Sequence, residues 1–207
     1  MQFAAIARWF WNAESMCATS LFPRQAGPLE LRLPDSEEIE QLLQWRNHPD
    51  VWRWLIHTKV DPDEFRKQWL DGRDDPKKHS SIAVLDGEVI GIADVWISDG
   101  MGQMHVDDGA WRNDEAGIGY LIDPAHTGKG YATEIARALL EIAFEDLGVR
   151  RVTAGCFADN IASWKIMEKV GMRREQHGVQ DSWHAELGWI DGFTYGILAD
   201  EWRASRG

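Results

Sequence analysis

Gly128-Lys129-Gly130 stands between an apolar run ending at Ile122 and a helical pattern beginning at Ala132. A helix start exposes unpaired backbone N–H groups and the positive end of the helix dipole. Glycines there let those groups approach a phosphate with no Cβ in the way. Residues 128–132 therefore predict a seat for a phosphate or pyrophosphate. The spacing is not that of a Walker loop, and the three-glycine dinucleotide fingerprint is missing. By itself a Gly-x-Gly is more often only a helix start, so the elements around it must decide.

Those elements alternate. Leu29, Leu31 and Leu33 read as a half-buried strand, and Asp35 or Ser36 caps a helix through Ile39, Leu42, Leu43 and Trp45. Asp63 opens a second helix with Phe65 and Trp69 on one face. Ser81–Leu85 and Glu88–Ile97 are strands joined by Asp86-Gly87, a hairpin turn in which both positions need a positive φ. Residues 99–114 form a polar, glycine-containing loop. Ala116–Ile122 is a strand leading to the glycine turn, and the helix after it buries Ile135, Ala136, Leu139 and Leu147 and stops at Gly148. Arg151–Phe157 is a strand, Asn160 opens a helix, and Phe193–Leu198 is the last strand. Strands flank each helix, so the class is mixed α/β. Residues 1–28, with Phe3, Ile6 and Phe10 at helical spacing, are set apart as an N-terminal extension of unclear role, and 29–207 as the domain.

Composition narrows the function. The 207 residues carry 34 acidic and 22 basic side chains, a formal charge of −12. So acidic a chain is poorly suited to nucleic-acid phosphates and suited to a cationic partner. Two cysteines without a Cys-x-x-Cys, and scattered histidines, predict no disulfide framework and no metal site, and a reducing, cytoplasmic setting. No apolar run reaches the length of a membrane span. The first ten residues resemble a signal peptide only faintly, because no basic residue precedes the apolar stretch and Arg8 interrupts it.

Ile118-Gly-Tyr-Leu-Ile-Asp-Pro with Gly128-Lys-Gly-Tyr-Ala-Thr-Glu134, then Asn160-Ile-Ala-Ser163 ahead of Gly171-Met172, resemble the GNAT acyltransferase superfamily. Trp45-Arg46-Asn47 with Asp50-Val51, and Tyr195 with Glu201-Trp202, are similar to the branch holding the ribosomal-protein N-terminal (Rim-type) acetyltransferases. The resemblance covers about residues 29–203. It implies a GNAT acyl-CoA N-acyltransferase fold: a mixed central sheet with a splayed strand pair and flanking helices. It implies acetyl-CoA as co-substrate and direct transfer to a primary amine, on a protein N-terminus or a small cationic molecule. Gly128, Lys129, Gly130, Tyr131 and Ala132 would hold the pyrophosphate, Tyr120, Leu121 and Ile122 the pantetheine arm, and Asn160 its amides.

Catalytic roles are less sharply marked. The superfamily's usual thiolate acid, a helix Tyr, is replaced by Met167; in the Rim-type branch a Ser takes the role, which points to Ser163. Glu115 shares parity with Gly117 and Gly119 and would face the acceptor cleft, while Asp191 holds a Gly-x-x-Asp position recurring in the branch. Each of these also reads as an ordinary helix-start or surface residue. Tryptophans at Trp52, Trp54, Trp96, Trp111, Trp183 and Trp189 could stack on an acceptor or cover a partner, and a homodimer stays open. Two alternatives remain: a longer-chain acyl-CoA transferase of the siderophore-lysine type, and an inert acyl-CoA-binding module.

Overall fold

The computed structural model describes residues 21–103 and 109–206. Phe3, Ile6 and Phe10 lie outside the described residues, as do 104–108 of the polar loop. Eight strands form one sheet in the order β1-β2-β3-β4-β5-β6-β8-β7. These are β1 (Arg24–Ala26), β2 (Leu29–Arg32), β3 (Lys78–Leu85), β4 (Glu88–Ser98), β5 (Glu115–Ile122), β6 (Arg151–Phe157), β7 (Arg173–His184) and β8 (Gly188–Leu198). The β5–β6 pair is parallel and the others are antiparallel. This is the mixed α/β sheet expected from the alternating pattern.

Helices α1 (Ser36–Arg46), α2 (Pro49–Trp52) and α3 (Pro62–Asp71) connect β2 to β3, and α4 (Tyr131–Glu141) connects β5 to β6. Helix α5 (Ile161–Lys169) connects β6 to β7, and α6 (Ala199–Ala204) follows β8. Local chemistry sets several of these bounds. Asp35 accepts from Glu38 N at 2.9 Å and Glu38 returns the bond to Asp35 N at 2.9 Å, a capping box that starts α1. Asp86 and Gly87 have φ of 51° and 87°, the paired left-handed turn that β3–β4 needs.

Alternation along the strands makes two cores. One face buries Ala83, Val95, Ile118 and Val152 against Ile135, Leu139 and Met167 of α4 and α5. The other buries Ile82, Val84 and Ile92 against Leu42 of α1 and Phe65 and Trp69 of α3. Truncating a fully buried Leu or Ile in either costs about 2–5 kcal/mol. Part of the segment set apart from sequence belongs to the sheet: β1 pairs with β2, and Leu21, Phe22 and Ala26 are buried in the first core. Strand β7 is an addition, because its exposed edge carries no apolar alternation to announce it. Among the described residues no helix is long and apolar enough to cross a membrane.

Candidate active site

Strands β5 and β6 run together for three pairs, Glu115 with Arg151, Ala116 with Val152 and Gly117 with Thr153, and then part. Beyond Gly117, β5 stays paired to β4 as far as Ile122, and β6 stays paired to β8 as far as Phe157. The parting strips one edge of each strand of its partner. It leaves backbone N–H and C=O groups in mid-sheet that a ligand or water must satisfy.

The glycine turn lies at the open end of this gap, reached from β5 through the short turn Pro124–His126. Gly128 and Gly130 have φ of 77° and 88°, and nothing stands within 4 Å of where a Cβ would be. A side chain would be strained there by backbone conformation alone. Gly130 is the N-cap of α4 and carries no side-chain cap; Thr133 N donates to the Gly130 carbonyl at 3.0 Å, and no side chain of the described residues caps the N–H groups ahead of it. Lys129 is exposed beside them and Tyr131 packs half-buried on the α4 core. Alternation sends Tyr120 and Ile122 toward α4 but Leu121 to the α1 side, so only two of those three side chains share the α4 face.

Three protic side chains meet in the gap. The Tyr120 hydroxyl donates to the Ser163 carbonyl at 3.2 Å, bridging β5 to α5. The Ser163 hydroxyl lies against both the Tyr120 phenol and the Cys156 thiol of β6. Burial pushes Tyr120 up to about 12 and Cys156 up to about 11, so both keep their protons near neutrality. The Asn160 side-chain oxygen caps α5 by accepting from Ser163 N at 3.2 Å. That bond leaves its amide nitrogen as the group available to a ligand.

The opposite, α1 face of the gap holds a carboxylate not singled out from sequence. Asp94 stands opposite Gly119 across the β4–β5 ladder, two residues past the last β5–β6 pair. It accepts from the Ser80 hydroxyl, and burial pushes its carboxyl above the usual range although Lys78 and Arg46 oppose this. Trp96, on the same face, is 42% exposed and lies over Gly117, where a Cβ would collide with its indole. The signal was present in the sequence as one charge inside the apolar run Ile90–Ile97.

Neither carboxylate named from sequence stands there. Glu115 is on the α1 face but at the closed end, held by Arg151 at 2.7 Å and Arg150 at 3.3 Å. Four residues from Gly119, it is about 13 Å along the strand. Asp191 shares the face of Phe193 and Tyr195, on the α5 side. Its carboxylate accepts from Gln180 N at 2.9 Å and meets His177 Nε2 at 2.6 Å, contacts that hold it below the ordinary range. A wall closes the α1 face on the β6 side. Trp54, Phe157 and His184 stack with centroids 5.1–6.4 Å apart, and the 2%-exposed His184 meets the Arg53 carbonyl at 2.8 Å.

A glycine helix start beside a break in a mixed sheet is the arrangement that the resemblance to the acyltransferase superfamily implies. The profile of the acetyltransferase (GNAT) domain matches residues 28–173. The chain belongs to this GNAT acetyltransferase family. Among its relatives, the uncharacterized N-acetyltransferase YnaD of Bacillus subtilis is 39% identical over 85 residues, 41% of this chain and 49% of that protein. The chain thus spans about half the length of that relative. The aminoglycoside N(6')-acetyltransferase type 1 of Klebsiella pneumoniae is 28% identical over 153 residues, 70% of this chain and 74% of that one. The solved structure of RimL, a ribosomal L7/L12 alpha-N-protein acetyltransferase in complex with coenzyme A, superposes with a TM-score of 0.71. At 19% identity over 86% of this chain and 98% of that one, it shows the shared fold. The open glycine turn and the strand gap of this chain fit a CoA thioester.

Proposed function

We propose that this protein moves an acetyl group from acetyl-CoA directly to the primary amine of a small acceptor seated on the α1 face of the sheet. The observation that carries the reading is the break in β5–β6 pairing at Gly117, with the glycine turn at its open end and Asp94 opposite Gly119. Acetyl-CoA supplies the activated acyl group. Backbone N–H groups of residues 128–132 hold its pyrophosphate, with the Lys129 charge beside them. The Asn160 amide and the unpaired β5 edge at Tyr120, Leu121 and Ile122 hold the pantetheine arm. Asp94 takes the amine's proton, for which its raised pKa suits it better than the ion-paired Glu115 or the lowered Asp191. Ser163, supported by Tyr120, returns a proton to the sulfur.

The Tyr120 hydroxyl bridges β5 to α5 at 3.2 Å, and a gap spanned in this way supports acetyl over a longer donor. The Trp54, Phe157 and His184 wall favours a small acceptor over a peptide. The relationship to an aminoglycoside acetyltransferase supports the same class. Calorimetric titration with acetyl-CoA and palmitoyl-CoA, followed by thiol release with amines, tests the reading. One-to-one binding of acetyl-CoA and amine-dependent release are expected. Binding of palmitoyl-CoA alone, or of neither, would overturn it.

A further inference from the structure

Arg46 is 8% exposed at the end of α1, and its Nη2 donates to the His57 carbonyl. Its Nη1 is fully buried and has no hydrogen-bond partner among the described residues. A buried guanidinium N–H left unmade costs more than a neutral one, and native folds rarely leave one so. The group is close enough to Asp94 for each charge to act on the other, and Lys78 acts on Asp94 as well. The acceptor face therefore holds one carboxylate within electrostatic reach of two cations. This reverses locally the acidic balance of the whole chain. A purely cationic amine would satisfy Asp94 but leave Nη1 unmet and stand against Arg46 and Lys78. An amine that also carries an oxyanion satisfies both.

We propose that the acceptor is zwitterionic: a primary amine received by Asp94, with a carboxylate or phosphate a few bonds away taken by Arg46 Nη1 and the Lys78 ammonium. Trp96, laid over Gly117, is the apolar bed for the carbon skeleton between them. The inference rests on the acetyltransferase reading and refines its acceptor. It turns the acidic overall charge from a guide to the substrate into a property of the outer surface.

Paired amines that differ only in the oxyanion test it on the wild-type protein. L-methionine is set against 3-(methylthio)propylamine, and phosphoethanolamine against ethanolamine, with spermidine and kanamycin as purely cationic acceptors. Thiol release from acetyl-CoA is expected to show kcat/KM about tenfold or more higher for the zwitterion of at least one pair, the size of a charge-assisted hydrogen bond. Which pair responds separates carboxylate from phosphate. Arg46→Lys keeps the charge and loses the second N–H; it should erase that preference, bringing kcat/KM for the zwitterion down to that of its paired simple amine in the same variant. Equal rates within both pairs, or faster transfer to spermidine or kanamycin, would overturn the proposal. If no amine is acetylated, the same pairs are titrated into the protein–CoA complex, where absence of zwitterion binding overturns it. Failure of acetyl-CoA itself to bind would instead bring down the acetyltransferase reading.

Discussion

The two faces of the β5–β6 gap are built differently. On the α4 face the proposed donor seat comes from one stretch of chain: a strand edge, a turn with two left-handed glycines and an uncapped helix start lie within residues 118–132. Its ligands are backbone groups, so side-chain identity matters little except where a Cβ must be absent. On the α1 face the proposed acceptor seat is assembled from Arg46, Lys78, Asp94 and Trp96, which come from α1, β3 and β4 and share a face only once those elements have packed. A backbone site can be written locally, whereas a side-chain site is the product of tertiary structure.

The sharpest way to break this division is to fill the glycine turn. Gly130→Val places a branched side chain at φ 88° and should remove acetyl-CoA binding by about a hundredfold or more while the far-ultraviolet circular dichroism stays unchanged. Retained affinity would mean that the turn is only a helix start. Asp94→Asn should do the converse, lowering kcat by about 10²–10⁴ with acetyl-CoA affinity preserved. Because burial holds the Asp94 carboxyl above its ordinary value, kcat/KM should fall as pH drops through that raised pKa, and the limb should vanish in the variant. The sign for stability is opposite. A folded-state pKa above the unfolded one means that the folded chain binds the extra proton, so this group's contribution is lost as pH rises through the folded value. Asp94→Asn should therefore melt higher than wild type at neutral pH while turning over more slowly, and a lower melting temperature would contradict the burial cost assigned to Asp94.

Smaller effects sharpen the boundary between the faces. Ser163→Ala should reduce kcat by about ten- to a hundredfold with little change in acetyl-CoA affinity. Unchanged turnover in single-turnover measurements would transfer the acid role away from it. Trp96→Ala should raise the acceptor KM several-fold, about the worth of one aromatic contact, and leave the donor KM alone. A shift in the donor KM would show that the two seats are not separate.

This division also explains what the sequence disclosed. The mixed sheet, the hairpin at Asp86-Gly87 and the helices after Gly130 and Asn160 were legible because each follows from local periodicity and turn chemistry. β7 was not, since this edge strand is exposed along nearly all its length and buries only His184 at its end, which leaves no apolar alternation to read. β1 was hidden by its three-residue length and by Pro23 and Pro28 on either side. Parity puts Glu115 on the α1 face, but nothing in parity reveals that Arg150 and Arg151 hold it at the closed end. Asp94 was visible only as a charge in an apolar strand, a signal that acquires meaning once the gap beside Gly119 is known.

Amide hydrogen exchange with and without acetyl-CoA tests the central claim most directly. The donor is placed along the unpaired β5 edge and on the α4 start, so its binding should slow exchange in residues 118–122 and 128–132 together. The α1 segment, residues 36–46, should be unaffected until an acceptor is added. Protection confined to α1, or none at β5 and the glycine turn despite saturation, would contradict the account.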